Sequence, residues 1–198
     1  MAADVDRTVP SGHVLVVCTG NVCRSPYIER LLARELADTD IVVSSAGTGA
    51  LVGAPIDPES VTRLTAAGAH GGGFTARQIS REIVAEADLV ISATRDHLSS
   101  VVPLHPRALR YAFALHDLGD LLAAVSERDV AAAPGANRVA KVAAAAIAKR
   151  GVVHPRLADT ADVIDPFRRD SSVFDQMTEE IAQSLPTVAA VLRGPAVA

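Results

Sequence analysis

The chain has 198 residues, room for one ordinary domain and little more. Hydrophobic residues make up 49% and charged residues 21%, which excludes wholesale disorder; aromatics are only 3%, so Val, Leu, Ile and Ala must build the core. A formal charge of −4 and a pI near 5.8 argue against general affinity for nucleic acid or anionic membrane, and no apolar run reaches the ~20 residues that cross a bilayer.

Met1 to Gly12 carries Asp4, Asp6 and Arg7 and no apolar signal core, so residues 1–12 read as a flexible terminus on a cytoplasmic protein. His13-Val-Leu-Val-Val-Cys18 is short, β-branched and unbroken, the pattern of a strand buried on both faces of a parallel sheet. Thr19 to Arg24 follows as a loop. Ser25 and Pro26 then supply an N-cap and a first-turn proline, and Ile28, Leu31, Leu32 and Leu36 recur at helical spacing, which predicts a helix from about Pro26 to Ala37. Ile41-Val42-Val43 is a second strand. Helices are predicted over Pro58–Ala69, Ser80–Ala87 and Thr94–Val102, with strands at Asp88–Ser92 and Arg110–Phe113. Strands alternating with helices predict a three-layer α/β fold with right-handed crossovers. From Leu115 to Asp162 the pattern changes, and one Ala-rich helix, Asn137 to Arg150, stands out there. A long amphipathic helix at about Ser172–Leu192, with Pro186 inside it as a possible kink, closes the chain.

The segment richest in chemistry is Cys18-Thr19-Gly20-Asn21-Val22-Cys23-Arg24-Ser25-Pro26. A loop between a buried strand and a helix gathers backbone N–H groups and a helix N-terminus around one small volume, which suits an anion. It is not the ATP-type phosphate loop, because no Lys follows and Gly20 stands alone. Instead a thiol opens it and an arginine closes it. Amide hydrogens and a guanidinium favour the nucleophilic, anionic form of a cysteine, placing Cys18 to attack a bound phosphorus. Arg24 can grip two phosphoryl oxygens at once, and Ser25 can hydrogen-bond the sulfur.

Cys18 to Pro26 resembles the signature loop of the low-molecular-weight protein tyrosine phosphatases. Ser45-Ala46-Gly47-Thr48, Val52-Gly53, Asp57-Pro58, Ala76-Arg77-Gln78, Ala87-Asp88-Leu89-Val90 and Asp165-Pro166-Phe167 resemble later segments of that family in order. The resemblance implies a four-stranded parallel sheet of flavodoxin-like winding, helices on both faces, and one phosphatase domain over residues 13–198. It implies hydrolysis through a phosphocysteine, with no metal and no cofactor. The substrate would be a phosphorylated protein bearing phosphotyrosine, and inorganic phosphate the product.

Such a mechanism needs a proton for the leaving oxygen and then a base for water, and one carboxyl can serve both. Asp165 is the candidate: it precedes Pro166, which holds it extended in a loop, and it resembles the family's acid. Thr19, Gly20, Asn21, Val22, Cys23 and Ser25 are expected around the phosphate, Leu51 and Phe167 beside the substrate, and Ser45 as a brace for Asn21. Family resemblance also suggests that Cys23 bonds to Cys18 on oxidation. Asp159 and Asp162 read as solvated loop acids, and none of the six histidines is given a catalytic role.

The chain departs from that family where Ala50-Leu51 stands at an aromatic wall and Arg168-Arg169 follow Phe167. Val22 takes the place of a Thr in members that act on phosphoarginine. Phosphoarginine is one alternative substrate, and arsenate reduction with a low-molecular-weight thiol is one alternative reaction. Residues 115–162 exceed the expected connection and read as an insertion whose helix lies beside the site's mouth.

Overall fold

A computed structural model of the protein describes residues 12–195. The expected flexible terminus therefore lies outside the described residues, except for Gly12. Strands β1 (Gly12–Cys18), β2 (Ile41–Gly47), β3 (Leu89–Ser92) and β4 (Ala112–Ala114) form one sheet in the order β2-β1-β3-β4. Every pairing is parallel. The order reverses beside β1, and that switch opens a crevice at the carboxyl ends of β1 and β3.

Alternation along β1 divides the core into two layers. Val14, Val16 and Cys18 face α1 (Arg24–Glu35), α5 (Leu115–Ala123), α7 (Arg138–Lys149) and α8 (Ser171–Arg193). Leu15 and Val17 face the opposite layer, which holds α3 (Arg81–Ala85), α4 (Arg95–Val101) and a 3-10 turn at Pro106–Arg110. Residues 14–17 are wholly buried, as an unbroken β-branched run requires when both faces are covered. α2 (Pro58–Ala66) adds Leu64 to the first layer, and Asp57 caps it by accepting from the Glu59 N–H.

Two local differences from the sequence expectation bear on function. α1 starts at Arg24 with Cys23 at the N-cap and no side-chain cap, so Ser25 sits inside the helix and its hydroxyl is free for the loop. β2 runs on to Gly47, because Ser44, Ser45 and Ala46 continue the ladder beside Leu15, Val16 and Val17.

Residues 115–149 hold three helices rather than the single Ala-rich one. Leu115, Leu118, Leu121 and Leu122 bury one stripe of α5, and a Ser126–Asp129 capping box starts α6 (Glu127–Ala132). The Ala-rich helix is α7, and it does not lie beside the mouth. Val139 packs against Gly12, and Asn137 donates to Asp88, both at the amino ends of the strands. Its small buried residues Ala143, Ala145 and Ala146 fit it against the core. α8 continues through Pro186.

Candidate active site

Residues 18–24 wrap around a hollow of about 130 Å³ at the carboxyl end of β1. The loop turns its carbonyls outward: those of Cys18, Thr19 and Gly20 accept from Thr48, Gly49 and Leu51, and that of Val22 accepts from Asp57. Among the described residues, no protein acceptor takes the N–H groups of Thr19 to Cys23. A run of amides left free in this way is an anion cradle.

Cys18 lies buried at the base, its Sγ 3.0 Å from Ser25 Oγ. The direction of that bond follows from its neighbours. Asn21 Nδ2 donates to Ser25 Oγ at 2.9 Å and to Ser45 Oγ at 2.8 Å, so the Ser25 hydrogen points at the sulfur. Ser45 passes its own hydrogen to Glu29 Oε2. Burial raises the Glu29 carboxyl above its usual range, against the Ser45 bond and the charges of Arg30 and Arg77. Asn21 Oδ1 meanwhile accepts from the Arg77 N–H at 2.9 Å, while Arg77 Nε donates to the Ser45 carbonyl.

Asn21 holds φ at +55°, a left-handed conformation that Asn tolerates better than other side chains. At Gly47 a Cβ would stand 2.3 Å from the Thr19 carbonyl, so β2 and the loop approach closely only with glycine there.

The Arg24 guanidinium is 6% exposed, with Nη1 donating to the Val163 carbonyl at 3.3 Å and Nη2 2.9 Å from Asp165 Oδ2. Asp165, 54% exposed, stands on a loop tied at both sides: Val163 N–H donates to Ala93 at the end of β3, and Ile164 N–H to Glu180 of α8. Pro166 and a left-handed Arg168 turn the chain so that Phe167 lines the mouth, opposite Leu51. Arg168 lies over the Phe167 ring at 5.1 Å. Val22 and Cys23 line the hollow too, and the Cys23 thiol is pushed up to about 12, chiefly by burial and then by the charges of Asp57, Cys18 and Asp165. Both cysteines are buried free thiols.

Cys18, Thr19, Gly20, Val22, Cys23, Arg24, Leu51, Asp165 and Phe167 share this hollow, while Asn21, Ser25 and Ser45 brace it from behind. Asp162 is elsewhere engaged, accepting from the Arg95 N–H. Among the described residues there is no His, Cys, Asp and Glu group able to hold a metal ion.

Sequence reasoning missed three participants. Glu29 is a carboxylate one turn after Ser25 on the buried side of α1, a polar intruder in an apolar stripe. Arg77 joins the loop through its backbone. His97 is 7% exposed, and its Nε2 lies 2.8 Å from Thr19 Oγ1. Its signal was position: it stands three residues after the N-cap Thr94, where the chain leaves β3 at the ligand-bearing edge.

A larger hollow of about 320 Å³ lies between α4, α5 and residues 150–156. Two of its arginines are already matched, Arg95 with Asp117 and Arg156 with Asp120. The smaller cradle holds the nucleophile, so it and not the larger hollow is the candidate site.

Among solved structures, the tyrosine phosphatase Wzb from Escherichia coli K30 in complex with sulphate shares the fold with a TM-score of 0.64 at 24% identity, over 90% of this chain and 96% of that one. The YwlE arginine phosphatase from Geobacillus stearothermophilus matches similarly, with a TM-score of 0.64 at 22% identity over 90% of each chain. In sequence the chain is 39% identical over 94 residues to the low molecular weight protein-tyrosine-phosphatase Wzb of Escherichia coli K12, covering 48% of this chain and 63% of that protein. It is 33% identical over 105 residues to the probable low molecular weight protein-tyrosine-phosphatase EpsP of Ralstonia nicotianae, covering 53% and 71%. The sequence match thus spans about three-fifths of the Wzb protein. Residues 13–132, from β1 through α6, match the family described as low molecular weight phosphotyrosine protein phosphatase, and the chain belongs to that family.

Proposed function

We propose that the protein is a phosphomonoester hydrolase of the protein tyrosine phosphatase type that works through a phosphocysteine. One observation carries the reading: the Cys18 sulfur lies beneath a ring of free amides, with the Ser25 hydroxyl donating to it. A phosphate dianion seated in that ring has its phosphorus above Sγ. Arg24 turns from Asp165 to two phosphoryl oxygens and stabilises their charge through transfer.

In the first step Sγ bonds to phosphorus as the bond to the leaving oxygen breaks, and Asp165 gives that oxygen a proton. In the second, the Asp165 carboxylate takes a proton from water, whose oxygen attacks the phosphocysteine. Inorganic phosphate forms and the thiolate returns, with Ser25 donating to the departing sulfur. The high-lying Cys23 thiol stays protonated and leaves the nucleophile's role to Cys18.

The mouth favours an aryl phosphate on a protein, because Phe167 offers one ring face and Leu51 an aliphatic wall opposite. Val22 presents no hydroxyl to a guanidino phosphate, which ranks phosphoarginine second. Two free thiols suit the reducing cytoplasm.

Turnover of para-nitrophenyl phosphate by the wild type, Cys18→Ser and Asp165→Asn, with chelator present, tests the mechanism. The expected result is turnover in the wild type, none in Cys18→Ser, and a loss of about 10²–10⁴ in rate in Asp165→Asn. Turnover that survives Cys18→Ser overturns it. Phosphotyrosine, phosphoarginine and phosphoserine peptides then rank the substrates.

A further inference from the structure

His97 is a buried side chain that the mechanism above leaves without work. Both of its ring nitrogens meet hydroxyls: Nδ1 lies 2.7 Å from Thr94 Oγ1, and Nε2 lies 2.8 Å from Thr19 Oγ1. Thr94 belongs to the start of α4 and Thr19 to the anion loop, so the imidazole ties the end of β3 to the cradle. Both nitrogens of this buried ring are thereby satisfied. Thr19 is itself exposed at the mouth, on the wall shared with Cys18, Gly49 and Asp165.

The protons can be followed along this chain. Thr94 Oγ1 accepts the His97 N–H at 3.1 Å as the helix cap, and its own hydrogen can point at Nδ1. The ring proton then belongs on Nε2, where it is donated to Thr19 Oγ1. Thr19, already accepting, keeps its hydrogen free for the hollow. Burial and the nearby Arg24 charge keep the ring neutral, outweighing Asp165, Asp162 and Asp96.

We propose that Thr94, His97 and Thr19 form a hydrogen-bond relay that presents the Thr19 hydroxyl as a donor to the phosphoryl oxygen at the mouth of the cradle. Thr19 is the contact residue and His97 positions it. The proposal rests on the phosphomonoesterase reading and adds a side-chain donor to the five free amides of Thr19 to Cys23. It also accounts for a threonine at the loop's second position: valine of the same shape would strand the buried Nε2 proton.

The test combines NMR with kinetics. In protein labelled with ¹⁵N-histidine, His97 should carry its proton on Nε2 between pH 8 and pH 5. With para-nitrophenyl phosphate, Thr19→Val should lower kcat about tenfold with KM changed less than about twofold, and Thr19→Ser should restore it. His97→Leu should match Thr19→Val, and the double variant should be no worse than either. His97→Gln, whose amide nitrogen can stand near the Nε2 position, should recover part of the loss. An Nδ1 proton, a wild-type kcat in Thr19→Val, or additive losses in the double variant overturn the relay. The tautomer and the Thr19 pair need no folded His97→Leu. If the wild type fails to turn over, the phosphatase reading falls by itself, while the Nε2 tautomer, and its loss of the hydroxyl partner in Thr19→Val, still decide the relay.

Discussion

Asn21 Nδ2 lies 2.8 Å from Ser45 Oγ, joining the anion loop to the end of β2 across 24 residues of sequence. The same amide reaches Ser25, and through Ser25 the sulfur of Cys18, so one side chain sets the loop's shape and the direction of the proton beside the nucleophile. Asn21→Ala removes these bonds together with the one from the Arg77 N–H, and asks alanine to hold φ at +55°. We expect a loss of about 2–4 kcal/mol in urea unfolding and a fall in kcat at least as large as that of Ser25→Ala. A loss below about 1 kcal/mol means that the loop is braced elsewhere.

Gly47 makes a second, purely steric prediction. An added Cβ meets the backbone carbonyl of Thr19 at 2.3 Å, with the Asn21 Cβ at 3.0 Å, and neither atom is the free end of a side chain. Gly47→Ala should cost about 1–3 kcal/mol and weaken inhibition by inorganic phosphate, because β2 and the cradle must part. Gly72→Ala, with open space around its Cβ, is the matched control and should stay within about 0.5 kcal/mol of the wild type. Equal stability of the two variants would refute the close approach.

The sheet and the helices around it were legible because periodicity reports burial. Leu15 and Val17 packing one layer while Val14 and Val16 pack the other is what an unbroken β-branched run encodes. Residues 115–149 were harder to read. Leu115 to Leu122 carries a helical stripe, but it follows β4 directly and gave no loop to mark its start. Local pattern likewise could not place α7, since Val139 meets Gly12 only through the tertiary fold. At the site, residue type and spacing singled out Cys18 and Arg24, whereas Asp165 came from the resemblance of Asp165-Pro166-Phe167 to the family's acid loop; the three line one hollow. Glu29 and His97 were not legible, because their partners Ser45 and Thr19 stand 16 and 78 residues away.

Thiol chemistry separates the two cysteines. Burial and the charges of Asp57, Cys18 and Asp165 push Cys23 up to about 12, so at neutral pH it remains a thiol. Iodoacetamide at pH 7 should alkylate Cys18 first, phosphate should slow that reaction, and Cys23 should react only after unfolding. Peptide mapping by mass spectrometry reads both sites. Cys23→Ser should leave the rate at Cys18 within about twofold, and comparable alkylation of Cys23 in the folded protein would contradict this environment.

Acid should destabilise the protein through its buried histidines before its surface carboxylates matter. His97 is lowered from 6.5 to about 4, first by burial and then by Arg24, and burial also lowers His116, whose Nδ1 lies 2.8 Å from Ser184 Oγ. For a base held neutral in the fold, the stabilisation is complete above the unfolded value and declines as pH falls toward the folded one. The unfolded chain therefore gains protons from about pH 6.5 downward that the native state refuses until about pH 4. For His97 the accumulated loss is about 3 kcal/mol by pH 4. Glu29, raised by burial, works in the opposite sense and recovers part of it, because acid relieves a carboxylate that the fold keeps out of water. Asp129, held at about 2 chiefly by Ser126 with help from Lys149, gives up its contribution only below its ordinary value of 3.8. Urea unfolding of the wild type and His97→Gln from pH 8 to pH 4 isolates the imidazole. The two curves should run parallel above pH 6.5 and converge below it, because the wild type alone loses the His97 contribution while both lose that of His116. A constant gap across the range would mean that His97 titrates alike in the folded and unfolded chains.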